Sequence, residues 1–248
     1  MPYQFTVSPD FSPEYLSGWY IFNTWLQKQS GEAIHLEMYN SFQTQREVIL
    51  NDQIDLIYAN PFDAAMLVRK KGFLPIAKAV GISDEAIIAV NANNPIHDVA
   101  DLRSGTKIAA TEDPDVKMMG MIMLEAGDLD ATNTSTILCN SYILVAKQLL
   151  QENADVGIFL AKAYDDLSSM IKSKLRILVR SEISVIHHSL MVGPKLANRR
   201  DEIQDLLMDM TNNEKGQDIL KNLCFSGWEK VDDEEMEFMI DLMDTLAI

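Results

Sequence analysis

Four histidines, two cysteines and a set of polar and aromatic residues at strand-to-helix junctions are the side chains of this sequence with chemistry to offer. Cys139 and Cys224 lie far apart and lack CxxC spacing, so they form no metal or redox motif. They read as two buried thiols, or as a disulfide if the chain is exported. His187 and His188 adjoin, but neighbours on a strand point to opposite faces, so only one of the two can face a site. G-x-S-x-G, H-E-x-x-H and a glycine-rich phosphate loop are all missing. The expectation is a binding protein, not an enzyme, with no cofactor and no metal. The most informative run is Ile54-Asp55-Leu56-Ile57-Tyr58-Ala59-Asn60-Pro61-Phe62, where a buried-strand pattern ends in a polar, aromatic turn and a helical pattern follows. In a parallel sheet such a junction is the carboxyl edge of a strand, where open α/β sheets place their ligands.

The elements that must hold this turn alternate in type. Strands are expected at 4–8, 34–39, 54–59, 74–80, 84–90, 107–111, 135–140, 156–161, 175–179 and 185–192. A first helix is marked by Tyr15, Trp19, Phe22 and Leu26 on one face, with Gly31 just beyond its end. Further helices are expected near 43–52 and across 62–71 up to Gly72, and the C-terminal stretch reads as helical at 198–210, 214–223 and 233–246. Alternating strands and helices predict a largely parallel sheet with right-handed crossovers. Two βαβα blocks, about 1–82 and 95–175, give the chain a coarse internal symmetry.

Composition narrows the partners. The 248 residues allow one large domain or two small ones, and the apolar fraction of 47% suffices for real cores. Lys and Arg number 21 against 37 Asp and Glu, a net charge of −16, which argues against nucleic acid and anionic membranes. It leaves an anionic small ligand open, because local backbone N–H groups outweigh distant charge. No run approaches the roughly 18 apolar residues of a membrane span. No basic and apolar leader precedes the first strand, so the expectation is a periplasmic protein lacking its signal segment here, or a cytoplasmic one if Met1 is the native start.

Several landmarks in order resemble the phosphate/phosphite/phosphonate substrate-binding proteins of ABC transporters. They are Asp55-Leu56-Ile57-Tyr58-Ala59-Asn60-Pro61, Asp98 through Ala109 with its Asp101-Leu102-Arg103-Ser104-Gly105-Thr106-Lys107, Asp113-Pro114, Ala154-Asp155-Val156-Gly157, and Gly216 through Leu223 followed by Gly227-Trp228. The resemblance implies an α/β protein of the type II periplasmic-binding-protein fold: two Rossmann-like lobes with a central ligand cleft and two hinge crossovers. Lobe 1 would be residues 1–83 plus 185–248, lobe 2 residues 84–184, with hinges near 82–86 and 181–186. It also implies a monomer that captures a small molecule between the lobes and presents it to an ABC permease.

The site positions depart from the family pattern. Phosphonate binders carry Ser-Thr-Ser after Asp-Pro, at a helix N-terminus; here Asp115-Val116-Lys117 follows, with Thr111 ending the strand before it. Asp115 looks like an N-cap, competing with an anionic ligand for the helix N–H groups. After Ala154-Asp155-Val156 the chain is apolar, with Phe159 where the family has polar residues, and His187 stands where the family has an aspartate. Other positions match in type: Phe11 and Ser12 after the first strand, Phe42 at the start of the second helix, Tyr58 and Asn60 on the opening turn, and Asn140-Ser141-Tyr142 after a second-lobe strand. Each aromatic among them is either a ligand contact or core packing, whereas Trp19, Phe22 and Trp25 read as packing. The cleft so assembled is more apolar than a phosphonate site and suits a weakly anionic or aromatic organic solute. A quaternary ammonium in an aromatic cage, and a phosphonate held by backbone amides, are the alternatives. A ligand-sensing domain that signals closure to a regulatory protein is the rival to transport, and a type II-fold enzyme is a more distant one.

Overall fold

The apolar runs pair into two sheets, one in each of two units, in a computed structural model that describes residues 1–10 and 15–246. The first unit is Met1–Ile82 with His187–Met243; the second is Ser83–Ile186 with the chain from Asp244. In order, the chain forms β1 (Tyr3–Val7), α1 (Leu16–Ser30), β2 (Ile34–Leu36), α2 (Phe42–Leu50), β3 (Leu56–Ala59) and β4 (Leu74–Ala79). The second unit holds β5 (Ala86–Asn91), β6 (Lys107–Ala110), α3 (Pro114–Leu124), β7 (Ser135–Leu138), α4 (Tyr142–Leu150), β8 (Val156–Leu160), α5 (Ala161–Asp165), α6 (Ser169–Lys172) and β9 (Leu175–Arg180). Then follow β10 (Ser189–Val192), α7 (Arg200–Met208), α8 (Glu214–Asn222), β11 (Trp228–Lys230) and α9 (Asp233–Leu246). Gly31, at φ 72°, ends α1 in the left-handed conformation that glycine adopts without strain.

The sheets are mixed rather than largely parallel. Their orders are β11-β4-β10-β3-β1-β2 and β7-β6-β8-β5-β9. In the first, β1 pairs parallel with β2 and β3, while β10 runs antiparallel to both β3 and β4. In the second, β6 pairs parallel with β7 and β8, while β5 runs antiparallel to both β8 and β9. Edge strand β11 also runs antiparallel to β4, while the two inner antiparallel strands, β5 and β10, are the ones that follow the passages at Ile82–Ser83 and Ile186–His187. Strand–helix alternation cannot reveal a strand recruited from a distant segment. Two other expectations shift in detail. The helix across 62–71 divides into a 3-10 turn, Pro61–Asp63, and a π turn, Met66–Lys70. The strand expected from 185 begins only at Ser189, after Ser184 takes a left-handed φ of 62°.

The coarse repeat becomes residue-specific. Ser41 and Ser141 each cap the following helix by accepting the N–H three residues on. Asp52 and Glu152 each leave that helix at positive φ, 56° and 57°. Asp55 and Asp155 then close the next strand onto the first. Asp55 accepts from Gln4 N–H at 2.9 Å and donates its own N–H to Gln4 C=O at 2.8 Å. Asp155 does the same with Lys107, at 2.8 and 2.9 Å. This pairing is the physical content of the two Asp landmarks.

The core of the first unit is aromatic. Trp19 packs edge-on to Phe5 and Phe22, Tyr58 lies 4.9 Å from Trp19, and Phe225 and Trp228 close the cluster. In the second unit α4 lies on the sheet face of Gly157, where a Cβ would meet Val145 and Leu149; α3 lies on the opposite face, its Gly120 against Ile158. Asp55 is buried and Asp155 exposed. Asp55→Ala is therefore expected to cost about 2 kcal/mol by stranding the part-buried Gln4 N–H and breaking the Lys195 ion pair, and Asp155→Ala under about 1 kcal/mol because water replaces the carboxylate. Urea unfolding of both variants checks the difference, and equal losses would contradict it.

Candidate functional site

The strand ends of the first unit gather a polar group inside an otherwise aromatic surround. Asp10 follows β1, Asn60 follows β3, and His188 precedes β10, whose antiparallel register sets Ser189 opposite Ala59. One carboxylate oxygen of Asp10 accepts from Asn60 Nδ2 at 3.0 Å and from His188 Nε2 at 2.8 Å. The Asn60 amide oxygen accepts from Phe62 N–H at 2.9 Å, which fixes the amide with its NH₂ toward Asp10. The His188 ring stacks on Tyr58, centroids 5.6 Å apart. Asp10 and His188 side chains are only 6% and 11% exposed. Burial pushes the Asp10 carboxyl up, but the His188 charge and the hydrogen bonds from His188, Asn60 and Ser8 outweigh it, so Asp10 sits below the ordinary carboxylate range.

His187 takes the opposite face of the strand, as alternation requires. Its side chain is 2% exposed, with Nδ1 3.0 Å from Ser189 Oγ and Nε2 3.6 Å from the Glu235 carboxylate on α9. Lys78 ion-pairs with Glu235 nearby. His187, expected to face the site, is thus interior, and it is His188 that meets Asp10 at the strand ends. Tyr58 sits on the expected turn, yet its ring belongs to the aromatic core. Phe42 opens α2 half-buried, and the Arg46 guanidinium lies 5.6 Å from its ring and 4.9 Å from that of Phe62, while Arg46 Nε bonds Asp63 at 2.6 Å. Phe11 and Ser12 lie outside the described residues.

The second unit repeats the arrangement with other side chains. Thr111 and Asp113 follow β6 as Ser8 and Asp10 follow β1. Tyr142, the counterpart of Phe42, donates its hydroxyl to Asp113 at 2.8 Å, and Thr111 Oγ1 accepts from Asp113 N–H at 3.4 Å. Burial, then the charge of Asp113, and to a lesser degree that of Asp115, push the Tyr142 hydroxyl well above its ordinary value, against a hydrogen bond from Thr111. Asp113, not Asp115, is the N-cap of α3, because Pro114 occupies the first helical position. Asp115 lies in the first turn and is 1% exposed. Lys117 is half-buried one turn in, its N–H bonded to Asp113 C=O. Asn140 is exposed, and Ser141 is spent on capping α4. Phe159 is a correction: it is fully buried, stacked under Tyr142 at 6.3 Å and edge-on to Tyr164, so it supports Tyr142 rather than lining a site.

Asp10, Asp113 and His188 were not singled out from sequence as site residues. The signal for the first two is the internal repeat, which sets a hydroxyl residue and an aspartate two apart after β1 and again after β6.

A family model described as ABC transporter, phosphonate, periplasmic substrate-binding protein matches residues 5–236. The chain belongs to this family. Members of the phosphonate substrate-binding family bind solutes for ABC permeases and are not enzymes, and the family is typically exported to the periplasm. No helix among the described residues is long and apolar enough to cross a membrane. No curated protein matches the chain. Among solved structures it is similar to PhnD1 from Prochlorococcus marinus in complex with methylphosphonate, with TM-score 0.81, 12% identity, and 99% of this chain and 98% of that one covered. XAC2383 from Xanthomonas citri, bound to chloride ion, matches with TM-score 0.81, 15% identity and coverage of 99% and 98%. The aliphatic sulphonate binding protein SsuA from Escherichia coli matches with TM-score 0.67, 14% identity and coverage of 98% and 87%. These likenesses identify the type II periplasmic-binding-protein fold.

The phosphonate-family fold leaves His187 with a consequence for stability. Burial, then the charge of Lys78, pushes its pKa down to about 4 from 6.5. Between those values the unfolded chain binds more protons than the folded one, so stability rises with pH across the window and is lost on acidification through it. His187→Gln is expected to shrink the stability difference between pH 7 and pH 4.5 by about 2 kcal/mol, read from urea unfolding at each pH. An unchanged difference would place the titration elsewhere.

Proposed function

We propose that this member of the family captures a small organic solute bearing a positively charged or strongly hydrogen-bond-donating group, rather than a free phosphonate, and delivers it to an ABC permease. The observation that carries this reading is the first turn of α3, where Asp113 and Asp115 are both buried. A helix N-terminus favours negative charge, and here the protein's own carboxylates take that place. The hydroxyl-rich run that phosphonate binders have at this position is missing. A second phosphonate charge beside these carboxylates would be repelled in surroundings of low dielectric.

The first unit supports the same reading through Asp10, kept ionised by His188 and Asn60 at the end of β1. With Phe159 in the core, the candidates are polar rather than apolar: Tyr142, Asp113, Thr111, Asn140 and Lys117 at the strand ends of the second unit, and, in the first unit taken by itself, Asp10, Asn60, His188 and Phe42. The ranking of ligand classes changes accordingly: a cation-bearing solute moves above a weakly anionic one.

Thermal melting with choline, spermidine, methylphosphonate, inorganic phosphate and methanesulfonate tests this. A cationic probe at 100 times its Kd is expected to stabilise by about 2.7 kcal/mol, a shift of several degrees, while the anions give none. Asp113→Asn and Asp10→Asn are each expected to weaken cation binding about tenfold. If methylphosphonate stabilises the wild-type protein and neither cation does, the reading is wrong.

A further inference from the structure

The chain passes from the first unit to the second at Ile82–Ser83, back at Ile186–His187, and across once more at Met243–Asp244. Just inside the second unit the segments of the first two passages run side by side. Asp84 N–H donates to Ile186 C=O at 2.8 Å, Ala86 N–H to Ser181 Oγ at 2.9 Å, and Ser181 N–H to Ala86 C=O at 2.9 Å. Neither segment contains glycine beyond Gly81 or any proline, so nothing in their composition loosens them.

One side chain bridges them. The Glu85 carboxylate accepts the backbone N–H of Ser184 at 2.6 Å through one oxygen. Its other oxygen accepts the N–H of Ile183 at 3.1 Å and the hydroxyl of Ser181. Bonds to an ionised acceptor are the strong class. They hold Ser184 at φ 62°, a left-handed conformation that a residue with a Cβ seldom keeps unaided. Glu85 stands immediately before β5, an inner strand of its sheet, so its own backbone is anchored: Ala161 N–H donates to Glu85 C=O at 2.7 Å.

We propose that Glu85 is a clamp on the first two chain passages, fixing the return segment 181–184 to the outgoing one and thereby limiting the freedom of the chain where it passes between the units there. A hinge is a few residues that absorb a change in φ and ψ, and three donors gathered on one carboxylate restrict that change. The clamp sets how much of the free protein populates the binding-competent state, and apparent affinity scales with that fraction. This last consequence rests on the chain acting as a solute receptor; the clamp itself does not.

The test uses the full chain without ligand, so its outcome is independent of what the protein binds. Glu85→Ala, Glu85→Gln and Ser181→Ala are compared by amide hydrogen exchange and by small-angle scattering. In Glu85→Ala the amides of Ile183 and Ser184 are expected to exchange about tenfold faster or more, with a radius of gyration displaced from the wild-type value. Glu85→Gln, which keeps one acceptor oxygen, falls between. Ser181→Ala keeps both amide bonds and gives the smallest change, so it and Glu85→Gln carry the test if Glu85→Ala does not fold. Faster exchange with an unchanged scattering profile would mean that Glu85 only orders a loop, and unchanged exchange would mean that the carboxylate holds nothing; either result overturns the proposal.

Discussion

Each unit completes its sheet with the strand that follows a passage of the chain, and most of what is distinctive here depends on that constraint. β10 lies between β3 and β4, and β5 between β8 and β9, each antiparallel to both neighbours. An inner strand bonded on both sides has a fixed register, because a slip of one residue would turn its apolar set to the wrong face. The residue just before such a strand is therefore placed by the whole sheet. In the first unit that residue is His188, delivered to Asp10; in the second it is Glu85, delivered to Ser181 and the two amides beyond it. Two residues from unrelated stretches of sequence thus hold equivalent posts, and each is committed to a charged hydrogen bond there.

Burial then decides which ionisable groups keep their charge. His187 and His188 are neighbours with the same chemistry and opposite surroundings. His187 meets apolar packing and the charge of Lys78, which disfavour its protonated form. His188 meets the carboxylate of Asp10, and the attraction is strong enough to hold Asp10 below its ordinary range despite burial. Desolvation acts on both sites; what differs is the partner, since Asp10 bonds His188 at 2.8 Å whereas Glu235 stands 3.6 Å from His187 and is ion-paired with Lys78. At Asp113 the partner is a neutral phenol, which stabilises the carboxylate by donation without cancelling its charge.

Much of this scaffold was legible in the sequence. Asp55 and Asp155 stood out as landmarks, and both close a strand onto its neighbour through a reciprocal pair of hydrogen bonds. The turn at Asn60-Pro61 was read as the edge of a strand, and Asn60 is indeed a cap there. The antiparallel strands were not legible, since their partners are distant in sequence and periodicity reports only local structure. Alternation required that one of His187 and His188 face the strand ends, but the choice rests on Ser189 pairing with Ala59, a register no local pattern encodes. Asp113 as cap was within reach: a proline in the first helical position identifies the residue before it. Phe159 was misplaced because an aromatic at a strand end can point up toward solvent or down into the core, and only the packing of Tyr142 and Tyr164 decides.

The internal repeat shows where recognition has room to vary. Ser41-Phe42 and Ser141-Tyr142 occupy the same post, with the same capping bond, at the start of equivalent helices. They differ by one hydroxyl. With it, Tyr142 reaches across to the strand-end carboxylate and satisfies it from the neighbouring helix. Without it, Phe42 leaves that task to Asn60 and to the passage residue His188, and its ring instead meets the Arg46 guanidinium. The capping serines and strand-closing aspartates serve backbone geometry and are the same in both halves, so they carry no information about a solute. The side chains that the two halves do not share, Tyr142 in one and Asn60 and His188 in the other, are the ones that bond the shared strand-end carboxylates.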